Sequence, residues 1–281
     1  MKIRTLRPED VPAALALSTQ AGWNQLEADW TRLLDLAPEL CFAGVVDGEL
    51  VATSTLVSYD EVGWVGMVLV DESHRRQGYG MEIFRQALDA AIEVGLEVVG
   101  LDATDAGRAV YQNVQFVDVA PITRWQGELT VPPATASSAF DGTPPVVRDP
   151  PVARLRELDE QACGVDRGDL LSRLLSEEGT VAFQAADDRG YAIVRPGRTH
   201  WQVGPVIARD GQTLEALLEA VADSLPDRRV IVDVLGESGY ATELGRFGLT
   251  EHRHLTRMTH QASNPALMGD AVVAAAGFEL G

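Results

Sequence analysis

The chain changes its hydrophobic rhythm in a regular order. Residues 2–7 (KIRTLR) alternate, the period of a half-buried strand. Residues 8–22 place proline and acids ahead of apolar positions spaced three and four apart. Residues 25–37 repeat that spacing up to Pro38, so two helices are predicted. Residues 41–59 are mostly apolar and broken at Asp47-Gly48, a hairpin-turn pair. Residues 62–70 (VGWVGMVLV) read as a further strand. An amphipathic helix over 78–94, a strand over 97–104, a short helix over 106–116 and a strand or strand pair over 116–129 close a first series.

The series then starts again. Residues 151–164 and 166–179 read as helices, and 180–197 as a hairpin over Asp188-Arg189-Gly190. A strand over 198–208, a helix over 212–225, a strand over 228–236, a helix over 239–248 and a strand over 249–261 follow. The order matches the first half, and small marks recur, such as VGMVLV at 65–70 against VGPVIA at 203–208. A tandem duplication of a mixed α/β unit is predicted, with a period too long for a solenoid. Residues 131–151 are proline-rich without periodicity and read as a linker. The expected units are 1–130, a linker 131–151, 152–262, and a tail 263–281 in which residues 266–280 are predicted to pack as a helix.

Composition narrows the function. With 281 residues and 46% apolar content, the chain can build well-packed cores. It has no run of 18 apolar residues, and the first ten residues lack a signal core, so no membrane span, no export and a cytoplasmic location are expected. Cys41 and Cys163 sit among apolar residues and form no metal-ligand set, so they read as core fillers in a reducing compartment. The net charge of −19 is spread along the chain. It excludes the basic footprint of nucleic-acid binding and would attract a cationic amine. Lys2 is the only lysine, which fits either a salt-loving cell or a GC-rich genome.

Candidate chemistry gathers at one corner. Residues 71–84 (DESHRRQGYGMEIF) join the strand at 62–70 to the helix at 78–94. Backbone N–H groups at such a corner, with a helix N-terminus behind them, form an anion nest. Gly78 and Gly80 let a ligand approach the backbone, and Arg75 and Arg76 add donors suited to phosphate oxygens. The pattern lacks the Gly-Lys-Ser/Thr of a nucleotide P-loop and the setting of a Rossmann fingerprint. No Cys-His or Ser-His couple suggests a covalent intermediate. The second half offers only RDGQT, residues 209–213, at the matching corner, so it lacks the cradle.

With Arg75, Gly78 and Gly80 spelling Arg-x-x-Gly-x-Gly, and with that order of elements, the chain resembles the GNAT superfamily of acetyl-CoA-dependent N-acetyltransferases. It is similar over nearly its whole length to the two-domain bacterial and archaeal members. The matching marks are residues 21–24 with Asp29-Trp30, residues 101–104 with Gly107, Val110 and Tyr111, and GVDR, RPG and VGPV in the second half. The resemblance implies an α/β (α+β mixed sheet) tandem GNAT fold whose second domain is degenerate and walls the acceptor pocket. It implies acetyl-CoA as cosubstrate, no metal, and direct transfer to a primary amine of a small molecule. By that resemblance the strand of Val68, Leu69 and Val70 would splay from the next strand and pair with pantetheine. The pyrophosphate would sit on Arg75, Arg76, Gln77, Gly78, Tyr79, Gly80 and Met81, and Tyr111 would be the general acid. One departure touches the local turn: the glycine four residues after the family's tyrosine is Gln115 here.

Asp102 either serves the acceptor ammonium catalytically or caps a helix. Trp23, Asn24 and Thr104 are substrate-binding candidates, Asn24 also being able simply to cap the second helix. The general base stays open among Glu61, Asp71 and Asp102, and His74 reads as a surface residue. In the second half Asp166, Arg167, Arg195, His200 and Asp233 read more readily as internal pairs or caps than as substrate contacts. A non-catalytic acetyl-CoA-binding scaffold and a protein-lysine acetyltransferase are the alternatives. The expected partner is a small-molecule amine, with no nucleic acid and no membrane, and the chain is expected to be a monomer or homodimer.

Overall fold

A computed structural model describes residues 1–132, 145–225, 229–236, 239–261 and 267–281. The first half runs β1 (Lys2–Thr5), α1 (Val11–Gln20), α2 (Glu27–Leu36), β2 (Cys41–Val46), β3 (Glu49–Tyr59) and β4 (Val62–Val70). It continues with α3 (Tyr79–Glu93), β5 (Val98–Ala103), α4 (Asp105–Gln112) and β6 (Phe116–Glu128). The second half runs β7 (Val146–Arg148), α5 (Val152–Cys163), α6 (Gly168–Ser176), β8 (Val181–Ala185), β9 (Gly190–Arg195) and β10 (Trp201–Ala208). Then come α7 (Gly211–Ser224), β11 (Arg229–Leu235), α8 (Ala241–Arg246), β12 (Thr250–His260) and β13 (Val272–Ala274).

Periodicity explains the layering. On α3 the buried residues Ile83, Phe84, Ala87, Leu88 and Ala91 fall on one stripe and pack against Leu56, Val65 and Val99. The alternate residues Val57, Tyr59, Trp64 and Met67 face the other way, onto α1 and α2. The second half repeats the arrangement, with α7 and α8 covering Phe183, Val194 and Val203. Ala182, Tyr191 and Ile193 join the same apolar cluster as Trp30 and Leu33 of α2 and Leu155 and Leu171 of α5 and α6. The two halves therefore share one core on that face of the sheet. None of the helices among the described residues is long and apolar enough to cross a membrane.

All described strands belong to one sheet, in the order β1-β2-β3-β4-β5-β12-β6-β11-β13-β10-β9-β8-β7. The halves are not closed units. β12, the long strand ending the second half, inserts beside β5, with Thr256 opposite Ala103. β6, the last strand of the first half, pairs with β11, with Val232 opposite Trp125. β6 and β12 also pair with each other, from Thr250 opposite Gln126 to His260 opposite Phe116. Each half thus completes its sheet with the other's strand, which leaves no open edge at the junction.

Two sequence expectations are corrected. The stretch read as linker contains β7, paired with β8, while residues 133–144 lie outside the described residues. The tail read as a helix contains a strand, β13, although residues 262–266 are also outside the description. Its Val272-Val273-Ala274 finds unpaired backbone groups between β10 and β11 and bonds to both. That tertiary vacancy outweighs the helical preference of the alanines around it.

Candidate active site

The site begins where two parallel strands separate. β4 pairs with β5 only from Val62–Val98 to Trp64–Gly100, after which β5 follows β12 instead. A bulge helps to open the wedge: Thr53 faces Leu69 while Thr55 faces Gly66, leaving an extra residue at Met67 and Val68. Met67 sits at φ +48°, and its carbonyl accepts from the Thr53 hydroxyl at 2.8 Å. The splay expected from the resemblance is present.

Below the wedge lies the arginine and glycine corner. Arg76 and Gly78 have φ of +62° and +85°, and Gly78 caps α3. The amides of Tyr79, Gly80 and Met81 start the helix and have no acceptor within it. A Cβ placed on Gly78 would meet no protein atom within 4 Å, so the space above the turn is open. Val68, Val70, Arg75, Arg76, Gly78 through Met81, Phe84 and Tyr111 line a cavity of about 300 Å³ there. Backbone donors, a helix N-terminus and two guanidinium groups beside an open cleft fit the pyrophosphate and pantetheine of acetyl-CoA. Two expected side chains are absent from this lining. Leu69 is 6% exposed and points into the helix-covered core because strand residues alternate, and Gln77 is exposed to solvent.

A second cavity, of about 190 Å³, opens on the other side of Tyr111. The two share Val68, Gly107 and Tyr111. The tyrosine ring packs at 4.7 Å from Phe84 and 6.1 Å from Phe116. Burial pushes its phenol up to about 12, so it keeps its proton at neutral pH. Gln115 takes the left-handed conformation, φ +67°, that the family's glycine would supply, and its carbonyl accepts from the amide of Gln261 at 3.1 Å. The turn survives the substitution.

Other expectations change on this wall. Asp102 lines the cavity, but each of its oxygens accepts from Arg257 at 2.9 Å, and both side chains are fully buried. Arg257 also stacks 4.3 Å over the Trp64 ring. Both oxygens of Asp102 are thus held in a buried ion pair, although burial raises its carboxyl above the ordinary range. Asn24 is also reassigned. Its Oδ1 accepts from the amides of Thr199 and His200 at 2.9 and 3.1 Å, and its Nδ2 donates to the His200 carbonyl at 2.9 Å. It ties the loop before β10 to the first half and is absent from the lining of the second cavity. Trp23 and Thr104 do line the cavity, with Thr104 also capping α4 by accepting from Gly107 N at 3.2 Å. Asp71 is held well below the usual carboxylate range by Ser73 and His74, and Glu61 is exposed at the β3–β4 turn, beyond the paired end of β4.

The structure adds residues that the sequence did not single out: Gln25, Arg124, Arg253 and Glu279 all line the second cavity. Glu279 arrives from the segment after β13 and packs against the splayed strand. A Cβ on Gly66 would stand 2.7 Å from the Glu279 Cα, so only glycine admits this approach. Glu279 is 5% exposed, and burial raises its carboxyl above the ordinary range although Arg195 lies 3.5 Å away. One signal was legible. Arg253, Leu255 and Arg257 alternate along β12 on a face that should be apolar.

Among the described residues, the matching corner of the second half is filled. Its wedge between β10 and β11 is occupied by β13. At the N-terminus of α7, the Asp210 carboxylate accepts from Thr213 N at 2.8 Å, placing a fixed anion where a phosphate would lie. The polar candidates there are internal. Arg167 bonds both oxygens of Asp159 at 2.8 and 2.7 Å, Asp233 accepts twice from Arg124, and Asp166 pairs with Arg156 and caps α6.

A splayed β4–β5 wedge, a corner suited to phosphate and a half-buried tyrosine between two cavities are the marks of an acyltransferase. Residues 9–116 match the family model described as Acetyltransferase (GNAT) family, and residues 155–272 match the model described as Acetyltransferase (GNAT) domain. The chain belongs to the GNAT acetyltransferases, with one such domain in each half. It is 23% identical over 222 residues to the uncharacterized N-acetyltransferase YitH of Bacillus subtilis, spanning 77% of this chain and 76% of that protein. A Pyrococcus horikoshii structure described as an acetyltransferase superposes with a TM-score of 0.84 at 21% identity, over 100% of this chain and 95% of that one. A tandem GNAT protein from the clavulanic acid biosynthesis pathway gives 0.64 at 14% identity, covering 94% and 99%.

Proposed function

We propose that the protein transfers the acetyl group of acetyl-CoA directly to the primary amine of a small molecule. The observation that carries this reading is the pair of cavities meeting at Val68, Gly107 and Tyr111. One has the donors for a pyrophosphate, and the other is small and lined with charged groups. Acetyl-CoA supplies the activated acyl group. The amides at the start of α3, with Arg75 and Arg76, hold its phosphates, and the unpaired edge of β4 at Val68 to Val70 aligns its arm. Tyr111 keeps a proton on its phenol for the departing thiolate. Glu279 beside Gly66 is the buried carboxylate best placed to relieve an acceptor ammonium of its proton. A cavity of about 190 Å³ favours a small acceptor over a folded protein's lysine.

Calorimetric titration with acetyl-CoA, together with thiol release across an amine panel, tests this. One binding site per chain, lost in Gly80→Glu, with acetylated product from at least one amine, is the expected result. A folded protein that binds no acetyl-CoA in dilute or molar salt would overturn it.

A further inference from the structure

The charges around the acceptor cavity are unevenly matched. Asp102 is satisfied by Arg257. Arg124 donates to Asp233 from Nε at 2.7 Å and from Nη2 at 2.8 Å. Arg253 differs. It is half-buried, sits directly opposite Arg124 across the β12–β6 pairing, and has no hydrogen bond or ion pair among the described residues. Burial, and next the charge of Arg124, lower its pKa, so an anion placed there relieves both costs.

Elsewhere on the cavity the imbalance has the opposite sign. Gln25 Oε1 and Glu279 Oε1 are buried acceptors that receive no hydrogen bond, the Glu279 oxygen meeting Arg195 Nη2 only as a 3.5 Å ion pair. The Gln25 amide is oriented by its Nε2, which donates to Glu279 Oε2 at 3.3 Å, so its oxygen is the atom left open. Trp23, Leu255 and Phe278 supply apolar lining.

We propose that this cavity is a zwitterion site and that the acetyl acceptor is an α-amino acid with an apolar side chain. Arg253 binds its carboxylate, and Glu279 with Gln25 binds its ammonium. The proposal rests on the acetyl-transfer reading above and adds the substrate class. An amine without a carboxylate leaves Arg253 desolvated and unpaired. A polyamine or aminoglycoside brings further cations against Arg253 and Arg124. The packing of Glu279 against Gly66 sets the ammonium end of the site beside the wedge. There the ammonium gives one proton to Glu279, the nitrogen bonds to the acyl carbon as the carbon–sulfur bond breaks, and Tyr111 protonates the thiolate. The second nitrogen proton restores the phenol.

The test uses the full chain and a panel of L-amino acids, each beside the amine formed by its decarboxylation. Thiol release is followed with acetyl-CoA, and amino-acid binding is measured by calorimetry with and without acetyl-CoA. At least one apolar amino acid is expected to exceed its decarboxylated partner in kcat/KM by on the order of 100-fold. Arg253→Gln is expected to raise the amino-acid KM by about the same factor, to change kcat less and to erase the discrimination. Arg253→Lys should recover part of it, with acetyl-CoA affinity unchanged throughout. Equal turnover of amines and amino acids, or an unchanged KM in Arg253→Gln, would overturn the proposal, as would the absence of any amino-acid binding. Amino-acid binding that is lost in Arg253→Gln supports the zwitterion site even without acetyl-CoA binding, a result that would sink the acetyl-transfer reading alone.

Discussion

Asp102 meets Arg257 through both oxygens, whereas Glu279 Oε1 meets Arg195 only at 3.5 Å and receives no hydrogen bond. Removing one member of a buried pair strands the other, so Asp102→Asn should destabilise the protein by about 3–5 kcal/mol in urea unfolding. Replacing both, as Asp102→Leu with Arg257→Met, should recover most of that loss. A recovery in activity alone would contradict the structural role. Tyr111→Phe is expected to lower kcat by about 100-fold or more while leaving acetyl-CoA affinity within twofold, and a retained kcat would remove the phenol from the chemistry. The Tyr111 pKa rises on folding from 10 to about 12. The stability carried by the protonated phenol is therefore fully present below pH 10 and is lost as pH rises through about 12. Tyr111→Phe should flatten that part of the stability curve. Burial also pushes both cysteine thiols up to about 12, so neither should react with a thiol reagent at pH 8 until the chain unfolds. The arginine and glycine corner before α3 was legible because its motif is local. The partners of Asn24 and Asp102, His200 and Arg257, were not legible because they lie far along the chain.

At the level of elements, α3 and α7 occupy matching places and differ at their first turns. The start of α3 is open, and the start of α7 is already filled by Asp210. The wedge between β4 and β5 is likewise open, and that between β10 and β11 holds β13. Titration should therefore give a stoichiometry of one acetyl-CoA per chain, and two sites would show that β13 can be displaced. Gly80→Glu should weaken binding by on the order of 100-fold without unfolding the protein, because a Cβ there makes only an ordinary 3.4 Å contact with Val70. Helices and hairpins followed the spacing of apolar residues closely. The strand β13 did not, since a short run of valine and alanine becomes a strand only when a neighbouring edge needs a partner.

For the whole molecule, the exchange of β6 and β12 makes the halves interdependent. Residues 1–130 expressed alone would leave β5 without β12 and β6 without β11. Such a fragment should aggregate or self-associate rather than give a protected monomer in size-exclusion and hydrogen-exchange measurements. The full chain should unfold in a single transition whether followed by fluorescence or by circular dichroism. The sequence by itself determined the mixed α/β class, the repeated order of elements and the arginine and glycine corner, because each depends on residues close together in the chain. Tertiary structure alone decided the strand exchange, the plugging of the second wedge and the arrival of Glu279 and Arg253 at the second cavity. Those features depend on which backbone edges and buried charges remain unpaired once the sheet has formed, and no local pattern records that.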